Sequence, residues 1–587
     1  MLREYHLTNF KAFAGPETIP IRPITLIYGP NSSGKSSILQ SLLLLKQTLQ
    51  EAENPETLLL PKGNLINLGG YRDFIHRHDV SKPFSFKVVL DEDKQETLDA
   101  FEKLLPKELV KTPLLGLQVA FNYEQQVSNV VIESLELFVG NDSSPVAIYK
   151  PQQVSEINSG QDKSQLVQGG NVDFSEMLLK LDPINYGHSF WQAWWQIFGH
   201  LIHKNSQSNL FQTFEELQFN FGRKKWRDRI QYELRKLEKD LRDEIEKAKE
   251  SNTLTRQELE LKLLQAKSLI RLWEHFDNYN FEKATEDLSK LLQDSVIPYR
   301  NFLPIQFSAT LKKKSFINPL PIKSSGIPIE RYIGLEIWDL PSIIFQQWKP
   351  DFSGITVLAS SRLRRFLESV IYIGPLRDYP ERIYILSGNL SKDVGKSGKM
   401  LPDVLFKNPE LLKLVNEKLD CFKLGYELKV SSFTDEFSGI SDLFALRLVD
   451  KDTGINVSIQ DVGFGISQVL PIIVQSMLSR KSTLLIEQPE IHIHPRLQAE
   501  LGSLFAESIK PPFDNHFIIE THSEHLMLRL QKLIRKKELK PEDIAVIYVD
   551  RGAEGSKCLH LRLDEEGDFI DEWPDGFFEE DFNEIFQ

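Results

Sequence analysis

The feature that most narrows what this chain can fold into is a short segment near its amino terminus. Ile24-Thr25-Leu26-Ile27-Tyr28 is an apolar, β-rich run that leads into Gly29-Pro30-Asn31-Ser32-Ser33-Gly34-Lys35-Ser36. Ser37-Ile38-Leu39-Gln40-Ser41-Leu42-Leu43 then reads as a helix. Strand, Gly-x-x-x-x-Gly-Lys-Ser and helix together form the context in which the pattern is a phosphate-binding loop and not a chance Gly/Ser turn. Gly29 and Gly34 let backbone N–H groups curl around a β-phosphate with no Cβ in the way. The helix N-terminus adds the positive end of its dipole. Lys35 is placed to reach the β- and γ-phosphates, and the Ser36 hydroxyl to ligate Mg²⁺.

Such a loop needs a carboxylate to hold Mg²⁺ through water. Ser482-Thr483-Leu484-Leu485-Ile486-Glu487 is an apolar strand that ends in one, followed by Gln488-Pro489-Glu490-Ile491-His492-Ile493-His494-Pro495. The gap from Ser36 to Glu487 is too wide for one compact cassette, so the nucleotide-binding unit is expected to be split by insertions. Before the acidic strand comes Gln460-Asp461-Val462-Gly463-Phe464-Gly465-Ile466-Ser467-Gln468, a Gly-rich turn opening a helix. After it, Phe517-Ile518-Ile519-Glu520-Thr521-His522-Ser523 is a second buried strand running into Thr-His-Ser. Each of these is weak alone; His522 in isolation reads more simply as a core histidine. Their order and spacing agree with the loop, and that agreement across levels favours one shared site.

Upstream of the loop, Leu7-Thr8-Asn9-Phe10-Lys11-Ala12-Phe13 is an alternating edge strand with Phe10 and Phe13 pointing to a core. An Asn-Phe-Lys-Ala-Phe strand followed by Gly-Pro-Asn-Ser-Ser-Gly-Lys-Ser-Ser resembles the opening of ABC-type ATPases of the SMC/RecF/OLD group. Among these it is most similar to bacterial AAA-like ATPases of defence systems that lack a TOPRIM domain. The resemblance implies an α/β fold: a split ABC-type nucleotide-binding head with a mixed β-sheet, interrupted by a mainly helical insertion with a short coiled-coil hairpin. It implies ATP and Mg²⁺ as cofactors, with Gly29, Pro30, Asn31, Ser32, Ser33, Gly34, Lys35, Ser36 and Ser37 holding the nucleotide. Ser36 and Glu487 would hold the metal. Gly463, Gly465 and Ser467 would stand in for the signature motif, facing the γ-phosphate bound by a second copy, and His522 for the switch histidine. The implied assembly is a homodimer through ATP-sandwiched heads, with room for a higher oligomer.

This chain departs from the family where hydrolysis is concerned. The acidic strand of such heads usually ends Asp-Glu, Asp for the metal and Glu to polarise water; here the pair is Glu487-Gln488. Glu487 can serve the metal, being one methylene longer. The Gln488 amide is not basic, although a Gln can orient a water, as in small GTPases. One expectation is therefore an ATPase that turns over slowly, with ATP mainly gluing heads together; the other is ordinary hydrolysis with Glu490 as base. His492 and His494 lack a third ligand nearby and read as the loop after the acidic strand, not as zinc ligands. No signature Ser-Gly-Gly-Gln is present, and Gly69-Gly70-Tyr71-Arg72-Asp73, in the region of the family's metal-sensing Gln, offers no Gln.

The expected organisation is an amino-terminal half of the head over 1–173, a helical insertion over 174–300, a carboxyl-terminal half over 301–550 and an acidic extension over 551–587. Ile230, Leu234, Leu237, Leu241, Ile245 and Ala248 keep helical spacing, and Leu259, Leu263, Ala266, Ile270 and Trp273 repeat it. Between them Ser251-Asn252-Thr253 is a break and Thr255-x-x-Glu258 a capping box. Two helices of roughly 24 residues make a hairpin about 36 Å long, too stubby to encircle DNA. Trp191, Trp194, Trp195 and Phe198 share one helix face, core or partner-docking. Arg223-Lys224-Lys225-Trp226-Arg227 is the most basic cluster, most simply a solvated helix start. In Tyr372-Ile373-Gly374-Pro375-Leu376-Arg377-Asp378-Tyr379-Pro380-Glu381-Arg382, the arginines are expected to hold structural groups more than phosphate.

Composition bounds the rest. The 587 residues carry a net charge of −13, which argues against constitutive wrapping of nucleic acid, so direct DNA binding is an open alternative only. Two cysteines, Cys421 and Cys558, exclude a disulfide framework and a Cys-based zinc site, and fit a reducing compartment. The longest apolar run, near Leu42–Leu45, is far short of the ~20 residues a membrane span needs. With no signal-peptide core after Met1-Leu2-Arg3-Glu4, a cytoplasmic protein without membrane contact is expected. The stretch after His522 is too short for the TOPRIM nuclease of OLD-type relatives, which the resemblance turns into an expectation of a separate effector, a nuclease or toxin, in an anti-phage system. The rivals are a RecF-like DNA-repair ATPase and an ATP-dependent scaffold that does not hydrolyse.

Overall fold

The computed structural model describes residues 1–53, 57–91, 114–124, 129–140, 144–153, 177–181, 296–298, 352–388, 393–433 and 442–574, with scattered helical positions between 235 and 267. The chain divides into two compact units. One takes residue 1 with Val89–Arg362, the other Leu2–Val88 with Leu363–Gln587. The expected helical hairpin, the Trp191–Phe198 face and the Arg223–Arg227 cluster lie outside the described residues, apart from helical positions such as Arg242, whose guanidinium reaches Glu238 one turn back at 2.6 Å.

The second unit opens with strands β1 (Leu2–Thr8) and β2 (Glu17–Pro20), an antiparallel pair, then β3 (Ile24–Tyr28), helix α1 (Lys35–Glu51) and, up to Val88, strand β4 (Phe84–Leu90). In the first unit, β5 (Leu115–Glu124), β6 (Asn129–Val139), β7 (Ala147–Gln153), β8 (Met177–Leu181) and β9 (Val296–Pro298) pair antiparallel in succession. These strands bond chiefly with their sequence neighbours.

The second unit resumes with β10 (Val370–Ile373), β11 (Tyr384–Ile385), α2 (Leu401–Lys407), α3 (Pro409–Cys421), β12 (Tyr426–Phe433), β13 (Leu443–Asp450), β14 (Asn456–Ser458) and α4 (Phe464–Leu478). It closes with β15 (Thr483–Glu487), α5 (Pro495–Ser508), β16 (His516–Glu520), α6 (Glu524–Arg535), β17 (Ile544–Arg551) and β18 (Ser556–Leu561). Its main sheet has the order β10-β15-β16-β3-β17-β18. All neighbours are parallel except the β17–β18 hairpin. β3 and β15 are buried at every residue and β16 at all but His516. Continuous apolar runs are what a parallel sheet covered on both faces requires. Sheet and helices share one core, in which Leu26, Ile486, Ile519 and Val546 are joined by Ile473, Leu504 and Leu530 of α4, α5 and α6.

The carboxyl-terminal segment belongs to this fold. β18 is the edge strand of the main sheet and pairs antiparallel with β17. Beyond it, Arg562 pairs bidentately with Asp571 and holds that carboxyl well down, to about 2, through its hydrogen bonds. Trp573 meets Tyr28 edge-on at 5.4 Å, Tyr548 at 6.1 Å and Phe569 at 5.0 Å. Its indole therefore closes the core directly beneath the phosphate-loop strand. Trp573→Ala is expected to lower stability by about 2 kcal/mol, below the range for a wholly buried aromatic because the ring is partly exposed; thermal or urea unfolding of the full chain measures it.

Candidate active site at the carboxyl edge of the parallel sheet

Parallel pairing places the carboxyl ends of three strands side by side. Glu487 at the end of β15 is the register partner of Glu520 at the end of β16, and Glu520 is the partner of Ile27 in β3. Open α/β sheets bind ligands at this edge, in the loops that leave the strands. The phosphate loop leaves β3 here, the Gln488–Glu490 turn leaves β15, and Thr521-His522-Ser523 leaves β16.

The loop has the backbone that its sequence demands. Gly29 (φ 139°) and Gly34 (φ 109°) lie in the region that favours glycine, and Ser32 is left-handed at φ 64°. A Cβ on Gly29 would sit 2.3 Å from the Val549 carbonyl oxygen, and one on Gly34 would sit 2.6 Å from the Ala12 Cβ. Both glycines are thus fixed by conformation and by close approach. Ser556 at the start of β18 donates its hydroxyl to the Ser33 carbonyl, while its N–H bonds the Ala12 carbonyl at 2.8 Å. The Lys35 ammonium donates to the carbonyls of Gly29 and Pro30, both at 2.9 Å. Burial holds it below the usual lysine range, opposed by the carboxylates of Glu520 and Glu490. Ser36 hydrogen-bonds the Glu520 carboxylate. Pro30 and Asn31 are exposed at the loop's tip, whereas Ser37 is buried in the first turn of α1. The 17-residue helix gives a full dipole behind that turn.

Across the edge, Glu487 is buried and accepts the Tyr372 hydroxyl at 2.9 Å. Burial, with Glu520 nearby, pushes its carboxyl up to about 7. Gln488 is left-handed (φ 44°), and its N–H bonds the Glu520 carbonyl at 2.8 Å. Glu490 is occupied on both oxygens: the Thr521 hydroxyl donates at 2.8 Å and the His522 N–H at 2.7 Å. Burial raises both Glu490 and Glu520, and it lowers His522, with Lys35 acting in the same direction. Arg377 is buried behind the turn and donates to the Glu487 carbonyl at 3.0 Å, with burial pushing its guanidinium down to about 10. Arg382 instead grips Asp461 bidentately at 3.0 and 2.8 Å. Both arginines thus hold protein groups. His494 caps α5 by accepting the Arg496 N–H at 3.2 Å, and His492 lies edge-on to Phe464 at 5.2 Å.

The Gly-rich turn, held from one side by Arg382 and His492, is an exposed helix start. Gly463 caps α4, and a Cβ there would meet nothing within 4 Å; Gly465 packs against His492, whose carbonyl oxygen would lie 3.1 Å from an added Cβ. The Ser467 hydroxyl is turned inward and donates to the Phe464 carbonyl at 2.6 Å. The structure therefore brings Gly29–Ser37, Glu487, Gln488, Glu490 and His522 to one edge. The Gly463–Gly465 turn keeps its amide end open to solvent. Sequence reasoning passed over the roles of Glu520 and Tyr372 and the closure of the β17–β18 hairpin behind the loop. Glu520 alone carried a signal, being the one charged residue closing an otherwise apolar strand.

Residues 1–310 match the family described as AAA ATPase domain. The chain belongs to the AAA ATPase domain family. Residues 304–528 of this AAA ATPase match a further family, "AAA domain, putative AbiEii toxin, Type IV TA system", and residues 539–587 match "Protein of unknown function (DUF3696)". No curated protein matches the chain. Among solved structures it is similar to the Smc head domain with an extended coiled coil bound to the C-terminal domain of ScpA, from Pyrococcus furiosus (11% identity, 96% of each chain, TM-score 0.33). It is also similar to the Smc head with a coiled coil and joint from Pyrococcus yayanosii (13%, 96% and 98%, 0.32) and to the SMC head domain from Thermotoga maritima (8%, 96% and 99%, 0.32).

The burial of Glu487 gives this AAA ATPase a pH signature. A carboxyl raised in the folded state binds its proton more tightly there than in the unfolded chain, so it costs stability as pH rises from about 4.5 to about 7. Without divalent cations, Glu487→Gln is expected to stabilise the protein by at most about 3 kcal/mol at pH 8, the gain vanishing near pH 4.5. Melting curves of both proteins in EDTA across that range check it; a gain that persists unchanged at low pH contradicts the assignment.

Proposed function

We propose that this AAA ATPase is a slow, ATP-driven dimeric switch that acts through a separate effector protein. The observation that carries the reading is the convergence of the phosphate loop, Glu487 and the Thr521-His522 turn at one sheet edge. The residues present fit Mg·ATP. Two glycines leave no room for a Cβ, a buried lysine is within reach of two carboxylates, and a serine hydroxyl already faces a carboxylate. The loop from Gly29 to Ser37 would hold the triphosphate, Lys35 its β- and γ-phosphates, and Ser36 with Glu487 the Mg²⁺, which supplies charge neutralisation at the phosphates. Gly463 and Gly465 would meet the γ-phosphate from a second copy, with the open N-terminus of α4 aimed at its charge, whereas the inward Ser467 hydroxyl would steady the turn from within. His522, kept neutral by burial, would sense that phosphate.

Glu490 positions more than it activates. Both its oxygens are engaged by the turn that carries His522, so breaking it moves the switch residue. Gln488 is then left to orient the attacking water without taking its proton, which makes hydrolysis slow. Closure of two heads on two ATP would change what the central region of the chain holds. The match to a family named for the AbiEii toxin of type IV toxin–antitoxin systems supports a defence role, in which the ATPase licenses a nuclease or toxin after infection. Among the described residues no helix is long and apolar enough to cross a membrane, which is compatible with the cytoplasmic setting this role needs.

Two measurements test the reading. Sedimentation of the full chain should show a monomer that becomes a dimer on adding Mg·ATP, with Lys35→Ala remaining monomeric; no nucleotide-dependent change contradicts the switch. In single-turnover hydrolysis Gln488→Glu is expected to raise the rate about tenfold or more, within the usual reach of a general base. An unchanged or lower rate rejects Gln488 as the cause of slowness. The RecF-like alternative predicts ATP-dependent retention of duplex DNA that weakens steeply with salt.

A further inference from the structure

Glu520 is unused by the reading above, and its surroundings call for an explanation. It is 3% exposed. One oxygen takes the Ser36 hydrogen bond, while Oε2 is buried without a hydrogen-bond partner. The Lys35 ammonium acts on it only through space, since it donates its hydrogen bonds to the carbonyls of Gly29 and Pro30. Its register partner is a second buried carboxylate, Glu487, which is itself steadied by the Tyr372 hydroxyl. Two buried carboxylates on adjacent parallel strands repel each other, and a buried carboxylate oxygen left unpaired is costly. A divalent cation between them, or one holding water between them, removes both penalties at once.

We propose that Glu520 is the second carboxylate of the nucleotide's Mg²⁺ site. It would accept the Ser36 hydroxyl proton in a hydrogen bond, turning that oxygen's lone pairs toward the metal. Its other oxygen, Oε2, would take a metal-bound water. Mg²⁺ keeps several waters and binds through one or two carboxylates plus phosphate oxygens, so a pair of carboxylates and a serine suits it better than an all-protein cage. Placement on β16, between the loop strand and the acidic strand, is what lets one side chain address both partners. The fixed backbone bond from the Gln488 N–H to the Glu520 carbonyl ties the two strand ends together at this level.

The inference rests on the ATP reading, and the test separates the two. Binding of a fluorescent ATP analogue to the full chain is measured along a Mg²⁺ series that starts in EDTA. Glu520→Gln is expected to raise the half-saturating Mg²⁺ concentration about tenfold or more, as loss of a metal's supporting carboxylate does. A midpoint equal to the wild type overturns the assignment. So does lost hydrolysis with an unmoved midpoint, which makes Glu520 a water-activating residue instead. Should Glu520→Gln not melt cooperatively, Glu520→Asp retracts the carboxylate by one methylene and is expected to shift the midpoint about threefold, in the lower part of the same scale; no shift again overturns it. Absence of nucleotide binding by the wild-type chain under every condition would reject the ATP reading itself.

Discussion

Everything at this site depends on the parallel register of β15, β16 and β3. These strands come from opposite ends of the chain, yet hydrogen bonding sets Glu487 beside Glu520 and Glu520 beside Ile27, the residue before Tyr28 and the phosphate loop. Parallel pairing puts all three carboxyl ends on the same edge, so the loops that leave them must meet. A one-residue slip would turn a glutamate from the site into the covering layer. The fully buried apolar runs on both sides resist that slip, because each residue of β3 and β15 is already committed to the core. The fold therefore fixes the chemistry through backbone pairing, and the side chains follow.

Burial then makes the edge electrostatically tense. Glu487, Glu490 and Glu520 are all pushed upward by desolvation, while Lys35, Arg377 and His522 are pushed downward. Opposed shifts of this kind cluster where charge is to be handled in a dry site. The arrangement relieves some of the tension internally. Glu490 is satisfied by Thr521 and the His522 amide, and the Arg377 terminal nitrogens donate to carbonyls of the acidic turn. Glu487 and Glu520 are relieved less fully, and they face the loop built for a triphosphate. The edge is thus arranged to gain from a bound cation and anion together.

Much of this was legible in the sequence because its cues are local. Gly29 to Ser36 needs only its own strand and helix to be recognised, and the apolar run ending at Glu487 announces a buried strand that finishes in a carboxylate. What was hidden depends on adjacency. Glu520 looks like the polar end of one more strand until β16 is found between β15 and β3. Val549 and Ser556 look like parts of a tail until the hairpin closes behind the loop, with the Val549 carbonyl against Gly29. Trp573 likewise reads as part of an acidic ending, and only the sheet order brings Tyr28 and Tyr548 under it. Propensity and spacing carry information along the chain; strand order across a sheet is set by tertiary packing.

The central claim is that one nucleotide is shared by the loop of one copy and the Gly463–Gly465 turn of another. Mixing two inactive variants tests it most directly. Lys35→Ala disables the loop, and Gly463→Glu sets a negative charge at the exposed start of α4, where an added side chain meets no internal obstacle. Each variant alone should hydrolyse no ATP. Their equimolar mixture should regain ATP hydrolysis, because a mixed dimer holds one intact composite site of two. A mixture as inactive as its components, from two variants shown to fold and to pair with the wild-type chain, would contradict the shared site.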